Sequence, residues 1–143
     1  MNSSKSEMSV LLLLYRDGDR FYFQLNRNGV LFRFTSEHIQ PVERWRDSLR
    51  PYVIQGNVWS TFQFQGVLGK GAYGKVFYAL DRATSTEVAI KILDKKVIST
   101  KVSGVDGLVR EIRVHWEIKH CHGVLQLLEM FEDKDYVFLV LEF

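Results

Sequence analysis

Apolar positions fall into two stretches with a polar joint between them. In the first, Val10–Tyr15, Phe21–Leu25 and Val30–Phe34 read as three short strands. Arg16-Asp17-Gly18-Asp19 and Asn26-Arg27-Asn28-Gly29 separate them, and Asp-Gly and Asn-Gly pairs accept the positive φ of a tight hairpin turn. Thr35–Gln40 is ambiguous. From Pro41 to about Arg50 the period becomes helical: Val42, Trp45 and Leu49 recur at i, i+3 and i+7, predicting one apolar face. Pro41 suits the first helical position and Pro51 the stop. Asn57–Thr61 is the joint. Beyond it, Thr61–Gly69, Gly74–Asp81 and Glu87–Leu93 read as strands and Asp94–Ser103 as a basic loop. Asp106 is placed to cap a helix running to about Lys119. Val124–Phe131 and Tyr136–Phe143 are two more strands. The second stretch is therefore α+β: an antiparallel sheet with one helix inserted before its fourth strand. Its last strand is aromatic and β-branched with one acid, an aggregation hazard wherever its surface is bare.

Composition narrows the class. With 46% hydrophobic and 25% charged residues the chain folds rather than staying disordered. Its 143 residues fit one ordinary domain or two small ones. A net charge of +2, with no block of like charges, gives no reason to expect nucleic acid as a partner. One cysteine permits no internal disulfide, which points to a reducing, cytoplasmic setting. The apolar run Val10–Tyr15 is too short for a membrane span or a signal-peptide core.

Chemistry concentrates around Leu68-Gly69-Lys70-Gly71-Ala72-Tyr73-Gly74-Lys75-Val76. Glycines let backbone N–H groups approach phosphate oxygens, although a hairpin turn without a ligand uses the same residues. A dinucleotide-binding turn would need a helix after the glycines. Val76-Phe77-Tyr78-Ala79-Leu80 suits a strand instead, which disfavours a dinucleotide-dependent oxidoreductase. A strand–loop–strand cover over nucleotide phosphates remains. Lys91, in Val88-Ala89-Ile90-Lys91, sits inside an apolar strand and is costly to desolvate unless paired. On the helix, Leu108, Val109, Glu111, Ile112, His115, Trp116 and Ile118 share one broad face. Glu111 is thus an acid within the stripe that faces the sheet, and Lys91 is its economical partner. His115, His120, Cys121 and His122 lack metal-ligand spacing; a loop histidine bonded to backbone is the better reading, and no metal ligand is assigned.

These residues resemble the amino-terminal lobe of a eukaryotic protein kinase, a five-stranded antiparallel sheet plus one helix, that family's αC. The resemblance covers about residues 62–143 and rests on Leu68-Gly69-x-Gly71-x-x-Gly74-x-Val76, Val88-Ala89-Ile90-Lys91, Arg110-Glu111-Ile112 and the last two strands. The wording is most similar to serine/threonine kinases of the calcium/calmodulin-dependent type. The resemblance implies that backbone N–H groups of Lys70, Gly71, Ala72, Tyr73 and Gly74, beside Gly69, cover the phosphates of ATP. Leu68, Val76 and Ala89 would line the adenine pocket. Lys91 would hold the α- and β-phosphates, positioned by Glu111. Leu141 would be the gatekeeper, and the Glu142 carbonyl would accept from the adenine amino group. The catalytic loop and the Mg²⁺ ligands of such kinases have no counterpart among residues 1–143, so the expectation is a fragment, cut at the hinge and inactive alone, whose parent phosphorylates protein substrates. The alternative is a non-catalytic kinase-like interaction module. Two departures stand out. His120-Cys121-His122-Gly123 replaces the usual His-Pro-Asn, and His115 occupies the place of a packed leucine.

Residues 1–60 resemble the carboxyl-terminal half of a pleckstrin-homology domain. The residues concerned are Phe21-Tyr22-Phe23-Gln24-Leu25, Val30–Phe34 and Val42-Glu43-Arg44-Trp45-Arg46-Asp47-Ser48-Leu49, with Trp45 in the closing helix. Such a domain suggests a phosphoinositide or membrane-surface partner, but the loop that normally binds lipid would precede these strands, so lipid binding does not follow from them.

Overall fold

The computed structural model describes residues 10–27, 29–71, 74–100, 104–118 and 121–143, with backbone alone for 10–15. The chain divides into two compact units, Met1–Gly56 and Asn57–Phe143.

In the first unit β1 (Val10–Asp17), β2 (Arg20–Arg27) and β3 (Val30–Ser36) form an antiparallel meander. A two-residue strand, β4 (Ile54–Gln55), adds to β1 in parallel. Gly18 and Gly29 take φ of 58° and 81° in the two turns, the left-handed conformation expected there. Each strand outlasts its apolar run because ladder bonds continue through polar residues. Helix α1 (Ile39–Leu49) runs into a 3₁₀ turn at Arg50–Tyr52. Pro41 is its third residue, not its first. That position is tolerated because the first four N–H groups of a helix lack an intrahelical acceptor.

The core of this unit is Phe23, Val42 and Val53, with Phe21, Leu25 and Leu49 packed against it. Phe21, Phe23 and Leu25 alternate as a strand face requires. The expected helix face fails at Trp45, which is 62% exposed. Trp45 lies about 60° round the helix from Val42, and a core this narrow closes with Val42 and Leu49 alone. The indole lies instead in a shallow surface recess with Pro41, Arg44 and Ser48.

The second unit opens at Asn57, a non-glycine residue at φ 56°. Its Oδ1 accepts from the Ser60 N–H at 3.3 Å, so the joint is a one-turn helix, α2 (Val58–Thr61). Strands β5 (Phe62–Gly71), β6 (Gly74–Asp81), β7 (Glu87–Asp94), β8 (Leu127–Glu132) and β9 (Tyr136–Glu142) follow. They pair antiparallel throughout, in the spatial order β8-β9-β7-β6-β5. The basic loop contains a helix, α3 (Lys95–Ser99), because Asp94 Oδ1 accepts from the N–H groups of Lys96 and Val97 and Ile98 is buried. Lys95 ties α3 to the β8–β9 turn through Glu132 Oε1, at 2.6 Å.

Helix α4 (Gly104–Glu117) starts two residues before Asp106. Asp106 is thus in its first turn, where a carboxylate still favours the helix dipole, rather than at the cap. Lys119 lies outside the described residues. Strand β8 begins at Leu127, not Val124, because Gln126 Nε2 donates to the Val124 carbonyl at 2.7 Å and holds a turn there. Strand β9 lies between β7 and β8, and Phe138–Leu141 are buried. The exposed residues of Tyr136–Phe143 are Tyr136, Glu142 and Phe143, at the two ends of the stretch.

Trp45→Ala is expected to change unfolding stability by no more than about 0.5 kcal/mol. Phe23→Ala, at a position with 0% exposure, is expected to cost about 3–5 kcal/mol. Urea midpoints of the two variants check the difference.

Candidate functional site

The register of the second sheet places the singled-out residues. Val76 pairs with Lys91 and Lys91 with Leu139; Tyr78 pairs with Ala89 and Ala89 with Leu141. Directly paired residues share a face, and residues two apart along a strand return to it. Val76, Ala89, Lys91 and Leu141 therefore lie on one side of the sheet.

Helix α4 supplies the acid. Ile112 is buried, and Leu108, Val109, Glu111, His115, Trp116 and Ile118 are half-buried, while Val105, Arg110, Arg113, Val114 and Glu117 are exposed. This is the face expected from the sequence. Lys91 Nζ donates to Glu111 Oε1 at 3.2 Å. The side chains are 24% and 40% exposed, so the pair contributes at most about 1 kcal/mol to stability. Its geometric effect is larger, since it holds a cation extended along the face that carries Val76 and Ala89. One turn further on, His115 Nδ1 is buried and has no hydrogen-bond partner among the described residues.

The glycine-rich hairpin forms from β5 and β6, with Gly69 opposite Val76, Lys70 opposite Lys75 and Gly71 opposite Gly74. Ala72 and Tyr73 lie outside the described residues. The glycines are not equivalent. A Cβ on Gly74 would sit 1.8 Å from the Ile92 carbonyl oxygen, whereas one on Gly69 would meet nothing within 4 Å. Packing against β7 imposes Gly74, and open space around Gly69 leaves its backbone approachable. Leu68 follows a register shift in β5 and is exposed.

At the far end of β9, Glu142 is clamped twice to Gln126. Its N–H donates to the Gln126 carbonyl, and its Oε1 accepts from the Gln126 N–H, both at 3.0 Å. Tyr78 and Glu87, on the same face as Ala89, were not singled out from the sequence. The Tyr78 hydroxyl donates to Glu87 Oε1 at 2.6 Å, and its ring lies 5.0 Å from that of Phe143. That hydrogen bond, with lesser effects of desolvation and of the Glu87 charge, raises the phenol pKa above its ordinary value. Period-two spacing was the available signal: Glu87 lies two residues before Ala89, and Tyr78 two after Val76. Among the described residues no group of three or more His, Cys, Asp or Glu gathers to hold a metal. Cys121 and His122 are exposed, and His120 lies outside the described residues.

A cation held by an acid, an approachable glycine hairpin and an apolar row of Val76, Ala89 and Leu141 can together receive an anion attached to a flat apolar group. Comparison with known proteins gives the family. A family model described as Protein kinase domain matches residues 62–143. Serine/threonine-protein kinase PLK4 of Drosophila willistoni is 42% identical over 88 residues, covering 61% of this chain and 11% of that protein. Serine/threonine-protein kinase dkf-1 of Caenorhabditis elegans is 32% identical over 112 residues, covering 78% of this chain and 15% of that protein. Among solved structures, a twitchin kinase fragment of C. elegans with its immunoglobulin domains matches at a TM-score of 0.53 and 25% identity. That match covers 63% of this chain and 19% of that one.

Gly74→Ala is expected to destabilise the second unit by about 2 kcal/mol or more, because backbone rather than a flexible side chain must yield. Gly69→Ala is expected to cost less than about 1 kcal/mol. Thermal unfolding of the two variants checks the contrast.

Proposed function

Because the chain belongs to the protein kinase family, we propose that residues 62–143 are the ATP-binding lobe of a serine/threonine protein kinase that transfers the γ-phosphoryl group of ATP to protein Ser or Thr. The observation that carries this reading is the Lys91–Glu111 pair at 3.2 Å, on the face that also holds Val76, Ala89 and Leu141. The curated relatives named above are serine/threonine-protein kinases, and the matches span 11–15% of their lengths.

Each residue has a task in the proposed site. Lys91 neutralises the α- and β-phosphates, and Glu111 keeps its ammonium from folding back toward water. Backbone N–H groups around Gly69 and Gly71 take phosphate oxygens, and Gly74 lets the hairpin lie close on β7. Leu68, Val76 and Ala89 flank the adenine and Leu141 closes the back of the pocket. The double clamp to Gln126 fixes the backbone whose Glu142 carbonyl accepts from the adenine amino group. The approachable Gly69 backbone and the cationic head of Lys91 fit a polyphosphate. ATP supplies the phosphoryl group, and Mg²⁺, when bound, neutralises its phosphate charge.

Three finer readings belong to the same proposal. The wording of the motifs supports the calcium/calmodulin-dependent subtype. The order of three strands then a helix supports a pleckstrin-homology-like unit in residues 1–60, while the exposure of Trp45 counts against the usual place of that tryptophan. The single exposed cysteine suits a cytoplasmic protein. Among the described residues of the first unit no geometry supports a phosphoinositide partner.

In the native-length protein, Lys91→Met is expected to lower phosphotransfer at least about 100-fold, because one preorganised charge at the phosphates is lost. Melting temperature should hardly move, since the ion pair is partly exposed. Radiolabelled phosphate transfer and a thermal melt on the same preparation check both. Unchanged transfer would sink the assignment.

A further inference from the structure

The second sheet has an opposite face, and it carries a cavity of about 560 Å³. Ile92, Phe77 and Phe138 alternate with Lys91, Val76 and Leu139, so they point away from the Lys91 side. They floor the cavity, while Trp59 of α2, Val97 of α3 and Tyr136 of β9 wall it. The volume lies within the range of about 300–1,000 Å³ typical of pockets for single small ligands.

The walls are held in place. The Asn57 cap fixes α2, and Arg82 Nε donates to the Trp59 carbonyl at 3.3 Å. The Trp59 ring lies 4.4 Å from Phe64 and 6.0 Å edge-on to Phe138. Such rings offer broad apolar contact at low entropic cost.

The charged groups at the cavity are unbalanced. Lys70 and Lys75 both line it and sit directly opposite each other on β5 and β6. Like charges in that position repel. Among the described residues neither has an acidic partner, in contrast to Lys91 and Lys95. Asp94 also lines the cavity, and its Oδ1 accepts from the N–H groups of Lys96 and Val97, which turns that oxygen toward α3. The result is an aromatic-walled space whose lining carries two ammonium groups against one carboxylate.

We propose that this cavity binds a small amphipathic anion, an aromatic or aliphatic carboxylate whose body lies among Trp59, Phe77, Ile92 and Phe138 and whose charge meets Lys70 and Lys75. The floor of the site lies on the other face of the sheet from Lys91, although Lys70 and Lys75 stand on the glycine hairpin that the nucleotide reading also uses. A pocket bounded by two short helices and four strands favours one compact ligand over an extended protein segment.

The test is a titration of the full chain with 2-naphthoate, followed by the methyl resonances of Ile92 and Val97 and the Trp59 indole. Saturable shifts at these three residues are expected. The neutral analogue 2-naphthamide, and the exposed double substitution K70Q/K75Q, should each weaken binding about tenfold, with well-dispersed spectra retained. Three results would overturn the proposal. One is no saturable shift up to about 1 mM naphthoate in folded protein, or shifts centred on Lys91 and Leu141. Another is equal binding by the amide or by K70Q/K75Q. The third is competition by the peptide acetyl-Asp-Phe-Asp-Glu-amide at least about tenfold tighter than naphthoate, which would make the cavity a protein-docking site.

Discussion

A lysine in the middle of an apolar strand is the constraint on which the second unit depends. Lys91 lies between Ile90 and Ile92 on a strand flanked on both sides, where an unpaired ammonium would be costly. The sheet alone gives it no acid, so a helix must bring one. That fixes three things together: α4 must cross this face, Glu111 must occupy its inward stripe, and Ile112 must anchor the stripe by burial. A pair this exposed adds little to stability. Its effect is to set the position of the Lys91 ammonium on the face that carries Val76, Ala89 and Leu141.

Alternation along β6, β7 and β9 gives the sheet two chemically different sides. One carries Lys91 and the apolar row and is read as the nucleotide face. The other carries Phe77, Ala79, Ile90, Ile92, Phe138 and Val140, with Val58 of α2 in the same core. Gly74 couples the two sides, since its missing Cβ lets β6 lie against the Ile92 carbonyl. A substituent there would shift the hairpin relative to both faces at once.

The parts of this arrangement governed by period and spacing were legible in the sequence. Strand alternation and the 100° helical step independently isolated Lys91 and Glu111 as buried-side charges, and the fold joined them. The hairpin turns were legible because Gly18 and Gly29 needed positive φ. The misses have local causes. The basic residues at 95–96 hid a five-residue helix whose start is an Asp94 cap. Apolar character alone misplaced Trp45 and the start of β8, because core width and the Gln126 turn are tertiary facts. The reason for Gly74 lies in the neighbouring strand's carbonyl, which no motif displays. Tyr78–Glu87 joins residues nine apart on adjacent strands and required the register.

The most direct test of the central claim, that the paired Lys91 faces the phosphates of ATP, is acylation of the native-length protein by an acyl-phosphate derivative of ATP, mapped by mass spectrometry. The account predicts preferential labelling of Lys91 that excess ATP suppresses and Glu111→Gln diminishes. Labelling of Lys91 no stronger than that of exposed Lys70 and Lys75, or insensitivity to ATP, would contradict it.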